Sequence, residues 1–91
     1  MQPPFSDNRA RQRFELAEDG HVVFADYHRQ PGRLVITYVE APQALRGMGA
    51  AGRLMQAVAE QARAEGVKVL PICGYAKAWL QRHKEYADLV V

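Results

Sequence analysis

The chain has 91 residues, a net charge of +2 with histidine neutral, 48% hydrophobic and 24% charged residues; this is one domain with a modest core, burying roughly 60–65% of its unfolded surface, and not a disordered chain. No apolar run approaches the ~20 residues that span a bilayer, and the opening "MQPPFSDNRARQRF" has no apolar centre for a secretion signal. The lone cysteine, Cys73, excludes an internal disulfide and suits a reducing cytoplasm, while the charge is too weak to argue for nucleic acid and suits an anionic small ligand.

Residues 1–10, with Pro3 and Pro4, read as a loose lead-in. From Arg13 to Glu18, Phe14 and Leu16 alternate with polar positions, which predicts a strand. Asp19-Gly20 supplies a two-residue hairpin turn, since both residues tolerate positive φ. "HVVFADYH" is the return strand. "QPG" at 30–32 makes a second turn and "RLVITYVE" a third strand, rich in β-branched residues. These three strands form an antiparallel meander. Pro42 ends the third strand's ladder, and "APQAL" is a short loop. From about Gly47 to Glu65 the period becomes helical, with Ala51, Leu54, Met55, Val58 and Ala62 on one face and Gly66 as the stop. "VKVLPI" is a short strand. From Tyr75 to about His83 the helical period returns, with Ala76, Trp79 and Leu80 apolar.

The order is strand, strand, strand, helix, strand, helix. The third strand, the long helix and the fourth strand make a right-handed βαβ unit, so the last two strands are parallel. The fold class is mixed α/β (α+β). The stretch "LRGMGAAGR", residues 45–53, falls at the carboxyl end of the third strand, where ligands bind in open α/β sheets. The first amides of a helix lack internal partners and carry positive potential, so phosphate binds there. Small residues let it approach the backbone. Gly47, Gly49 and Ala51 provide that approach, and Arg46 and Arg53 add charge. The segment G-M-G-A-A-G matches dinucleotide glycine spacing formally. However, it lacks the acidic residue about 20 positions on, and no Gly-Lys-Ser/Thr of a Walker loop follows. The bland alternative is a tight turn whose small residues only permit close helix packing.

"Arg46-Gly47-Met48-Gly49-Ala50-Ala51" resembles the pyrophosphate loop of the GNAT acetyltransferase superfamily, Q/R-x-x-G-x-G/A. Together with "ALRGMGAAGRLM", "VKVLPICGYAKAWLQRHKEYADLV" and "EAP", it makes residues 11–91 similar to the short, cysteine-containing branch of that superfamily. Met48 stands where the branch often has a basic residue, and Lys84 replaces a frequent proline. The resemblance implies a minimal acetyl-CoA-binding domain whose parallel strands splay into a V-shaped cleft. It implies that the acetyl carbonyl accepts a bond from an amide near Val39 or Glu40. The pyrophosphate would sit on residues 47–51, with Ala50 inside that span. It also implies an open acceptor side, because the usual N-terminal strand and helices are lacking.

Cys73 follows "LPI" and precedes a predicted helix, a place where a cysteine can serve as a nucleophile. The alternative is a small core thiol. The resemblance sets Cys73 facing the acetyl thioester. Two routes then compete. Cys73 takes the acetyl group covalently and passes it on, or the group goes directly to an amine with Glu40 as base. Tyr75 is a candidate proton donor to the leaving CoA thiolate; its alternative is a packed aromatic. His21, His28 and His83 show no metal-ligand spacing. Trp79 and Leu80 read as core. Arg9, Arg11 and Arg13 beside Phe14 read as a solvated strand approach rather than an RNA contact. The function expected is transfer of an acetyl group from acetyl-CoA to an unidentified amine. The alternative is a non-catalytic acyl-CoA-binding module completed by a second copy or another protein.

Overall fold

The computed structural model describes residues 4–91. Five strands form one sheet in chain order: β1 (Phe5–Asn8), β2 (Arg13–Glu18), β3 (His21–Gln30), β4 (Arg33–Glu40) and β5 (Lys68–Pro71). The first four pair antiparallel, and β5 runs parallel to β4. Helix α1 (Ala50–Glu65) is the crossover between β4 and β5. Helix α2 (Gly74–Arg82) follows β5, and a 3-10 segment, Lys84–Leu89, follows α2.

Turn chemistry sets the register. Asp19 and Gly20 have φ of 50° and 78°, the left-handed pair that a two-residue hairpin demands. Glu18 therefore pairs with His21, and β2 and β3 zip back to Arg13↔Asp26. The period-2 pattern then sends Phe14, Leu16, Val23, Ala25 and Tyr27 to one face, where they are buried. Leu54, Met55, Val58, Ala59 and Ala62 of α1 pack on that face, all at most 1% exposed. Each large apolar side chain buried this way contributes roughly 1.5–3 kcal/mol. Trp79 and Leu80 join the same core, as their helical spacing predicts.

Two expectations are corrected. Residues 1–3 of the lead-in lie outside the described residues, but residues 5–8 are not loose: they form β1 and make the meander four-stranded. Side chains hold this edge strand. Phe5 stacks on Phe14 at 5.7 Å, and Asp7 accepts hydrogen bonds from Tyr27 Oη (2.5 Å) and Arg29 Nη2 (3.0 Å). Four residues are too short for a periodic signal. The long helix also starts later than Gly47. Gly47 and Gly49 have φ of 78° and 79°, so the chain is still turning until Ala50.

At the far edge, Val90 makes a parallel bridge to Val69, and the Val91 amide donates to the Val69 carbonyl at 3.0 Å.

Candidate active site

The site begins where β4 and β5 part. Their pairing runs from Arg33↔Lys68 to Ile36↔Pro71 and stops. Pro71 brings no backbone donor to extend it. On the other side, Tyr27 pairs with Ile36 and Asp26 with Tyr38, so Thr37 is an extra residue in β4. Such a bulge bends the strand and raises its twist. Tyr38–Glu40 thus continue beyond the end of β5, paired with β3 alone.

A cavity of about 320 Å³ occupies the space beyond this divergence. Val39 and Ala41 line it from β4 and its end, and Leu45, Arg46, Gly47 and Gly49 from the connecting turn. Ala50, Ala51 and Gly52 line it from the first turn of α1, and Tyr75 from α2. Of the residues singled out in the sequence for the cofactor, six meet here: Val39, Arg46, Gly47, Gly49, Ala50 and Ala51. Met48 does not, and it is 54% exposed. No carboxylate lines the cavity.

The backbone at its rim is electropositive. Gly49 is the N-cap of α1 in a left-handed conformation, with no side chain capping the helix and no acid in its first turn. Arg53 N–H to the Gly49 carbonyl (3.0 Å) is the first bond of the helix. The amides of Ala50, Ala51 and Gly52 precede it and have no acceptor within the helix. Arg46 uses its Nε on the Ala41 carbonyl (3.1 Å), which holds the guanidinium at the cavity rim. An anionic group fits there by charge and by the absence of side chains on the glycines.

Of the three expected catalytic residues, Cys73 and Glu40 do not line this cavity and Tyr75 does. Burial pushes its phenol pKa up, so it stays a proton donor at neutral pH. Cys73 is half-buried at the N-cap of α2, and its amide donates to the Ile36 carbonyl at 3.1 Å. It stands at the parting of the strands but does not line the cavity wall. Glu40 is on the opposite face of β4 from the core, paired with Phe24, and accepts a hydrogen bond from Tyr38 Oη at 2.6 Å. That bond, more than the carboxylate's nearby charge, pushes the Tyr38 phenol pKa up.

Sequence reasoning missed Gly52, Ala41 and Leu45. Gly52 carries a readable signal, because glycine inside a helix costs about 1 kcal/mol against alanine and calls for a packing reason. The reason is Trp79: a Cβ on Gly52 would lie 3.2 Å from the indole Nε1. Among the described residues no group of His, Cys, Asp and Glu could hold a metal, and no helix is long and apolar enough to cross a membrane. Two of the three arginines of the basic cluster near the start make ion pairs. Arg13 meets Asp26 at 2.9 Å and lies over the Phe24 ring, and Arg9 meets Asp7 at 3.2 Å.

A mixed sheet opened at its parallel pair, with an uncapped glycine turn at the mouth, defines an α+β fold. The family model described as GCN5-related N-acetyl-transferase matches residues 13–89, so the chain belongs to that family and is an acetyltransferase. Its fold is similar to the NMR solution structure of a GCN5-like protein from Staphylococcus aureus. The TM-score is 0.70 at 21% identity, over 96% of this chain and 86% of that one. No curated protein matches the chain.

Proposed function

We propose that this chain binds acetyl-CoA in the cavity between β4 and α1 and transfers the acetyl group to an amine in the cytoplasm. The observation that carries this reading is the cavity itself: it opens where the parallel strands part, and its rim joins uncapped helix amides to Arg46 with no carboxylate among its walls. Arg46, Gly47, Gly49, Ala50 and Ala51 hold the pyrophosphate, and an amide near Val39 or Glu40 takes the acetyl carbonyl.

The acetyl group passes through Cys73. Cys73 is the N-cap of α2, at the parting of the strands. The thiolate forms a bond to the acetyl carbon while the bond from that carbon to the CoA sulfur breaks. The CoA sulfur takes the proton that the thiol gave up, delivered by Tyr75. An amine then attacks the acetyl-cysteine from the outer face of β4, where Glu40 stands and accepts the proton lost from nitrogen; the bond from the acetyl carbon to the Cys73 sulfur breaks and the thiolate is restored.

Thermal melts test the binding. CoA and acetyl-CoA both raise the Tm, because the loop recognises their shared part. At 100 times the dissociation constant the gain is about 2.7 kcal/mol, or very roughly 10–20 °C for a domain of this size. No shift from either compound at millimolar concentration overturns the assignment. Release of CoA in the presence of an amine separates an enzyme from a binding module.

A further inference from the structure

A second cavity, again of about 320 Å³, lies at the outer edge of β5 and shares no residue with the first. That volume is at the lower end of the roughly 300–1,000 Å³ of small-molecule sites. Its apolar wall is Leu70 and Pro71 from β5, Leu80 from α2, and Ala87, Val90 and Val91 from the 3-10 segment and the residues after it. The remaining lining is Lys77, Gln81 and Lys84, and no carboxylate side chain is among the walls. Among the described residues neither Lys77 nor Lys84 makes an ion pair. The chain's third lysine, Lys68, is engaged: its Nζ donates to the Asp88 carbonyl at 2.6 Å.

An apolar trough bordered by two unpaired cations is complementary to an apolar body that ends in an anion. The walls are aliphatic, so they suit a hydrocarbon chain rather than a ring that gains from stacking. A peptide strand is poorly served here. Pro71 has no amide to give, and the Val69 carbonyl already accepts from the Val91 amide at 3.0 Å. We infer that this groove is a binding site for a carboxylic acid with an unbranched hydrocarbon chain. The chain lies against Leu70, Leu80 and Val90, and the carboxylate meets Lys77 and Lys84. The lysine stems add apolar cover while their ammonium groups stay at the rim. An occupant touches β5 and α2 together, the two elements whose junction holds Cys73.

The test is calorimetric titration of the full chain with acetate, hexanoate, octanoate and decanoate, each below its micelle concentration. Affinity rises by up to about fourfold per added methylene and levels off once the chain fills the groove. The double substitution Lys77→Gln with Lys84→Gln lowers decanoate affinity roughly fivefold or more. Both positions are exposed and glutamine is nearly as good a helix former as lysine, so the fold is kept. Ala87→Glu, also at an exposed position, sets a carboxylate on the wall and repels the same probe. Amide NMR signals of Lys77, Gln81 and Val91 shift on adding decanoate, while those of Gly47 and Gly49 stay. Decanol binding as tightly as decanoate overturns the proposal. Equal decanoate affinity in wild type and both variants does so too, as do shifts at Gly47 and Gly49 alone. Attachment to vesicles of anionic phospholipid without binding of monomeric decanoate also overturns it, and makes this face a membrane contact.

Discussion

The amide of Cys73 donates to the carbonyl of Ile36 at 3.1 Å. Ile36 is the last residue of β4 that pairs with β5, so this bond fixes the thiol at the parting of the strands and starts α2 there. Acetyl-CoA alone should therefore add one acetyl mass to the protein, and hydroxylamine should remove it, because a thioester is labile where an amide is not. Cys73→Ala should abolish adduct and turnover. Glu40→Gln should keep the adduct and slow the second transfer by about 10²-fold or more. An unmodified mass with acetyl-CoA bound would point to direct transfer instead.

Gly49→Glu should separate the loop from the fold. A residue with a Cβ at φ 79° costs about 1–2 kcal/mol, so the Tm should drop by several degrees while the fold persists. The new carboxylate would occupy the anion's place, and CoA binding should be lost. Retained CoA affinity would make the turn a packing device only.

Gly52→Ala sets two effects against each other. Helix propensity gains about 1 kcal/mol. The added Cβ presses on Trp79 Nε1 at 3.2 Å and nears Tyr75 Oη at 3.8 Å. Trp79 cannot retreat easily, being stacked on His83 at 3.8 Å and Tyr86 at 5.8 Å. The melting temperature should fall despite the better helix former, and the ligand cavity should narrow. A rise in Tm would show that the indole moves freely.

Tyr86 donates to Glu60 at 2.6 Å. That bond, with burial adding, pushes its pKa up to about 12. The folded state then holds this proton more tightly than the unfolded chain, where the value is about 10. The stability gained is complete below pH 10 and is lost as pH rises towards 12. Tyr86→Phe should cost about 0.5–1.5 kcal/mol at pH 8. Denaturant titrations should show the gap between the two proteins closing across pH 10–12.

Glu65 works in the opposite direction. Hydrogen bonds from Arg29 first, and from Gln61, hold its carboxyl below the ordinary range. Its share of stability is present above the unfolded value near 4.3 and disappears as pH falls through the folded one. Glu65→Gln should lower stability at pH 7 and leave an acid limb less steep than that of the wild type in pH-dependent unfolding.

Much of this was legible because it is local. The Asp19-Gly20 turn, the alternation of Phe14 and Leu16, the heavy apolar face of α1 and the glycine turn at residues 47–49 each carry their own signal. What escaped depends on partners distant in the chain. Strand β1 is secured by Tyr27 and Arg29, more than 19 positions away. Strict alternation along β4 would put Tyr38 and Glu40 on the core face with Leu34 and Ile36. The extra residue at Thr37 turns them outward and Val39 inward. A bulge leaves no mark in a run of β-branched residues, so the side on which Glu40 stands is set by a pairing that the local sequence does not display.

The bridge of Val90 and Val91 to Val69 has a bearing on self-association. A bare strand edge invites another chain to add to it, and here Ile72 (60% exposed) and Val91 (52% exposed) would reward such an addition with apolar contact. By occupying the Val69 carbonyl, the Val91 amide takes a position that a neighbouring molecule would otherwise use. A neighbouring molecule would find that edge already paired at Val69.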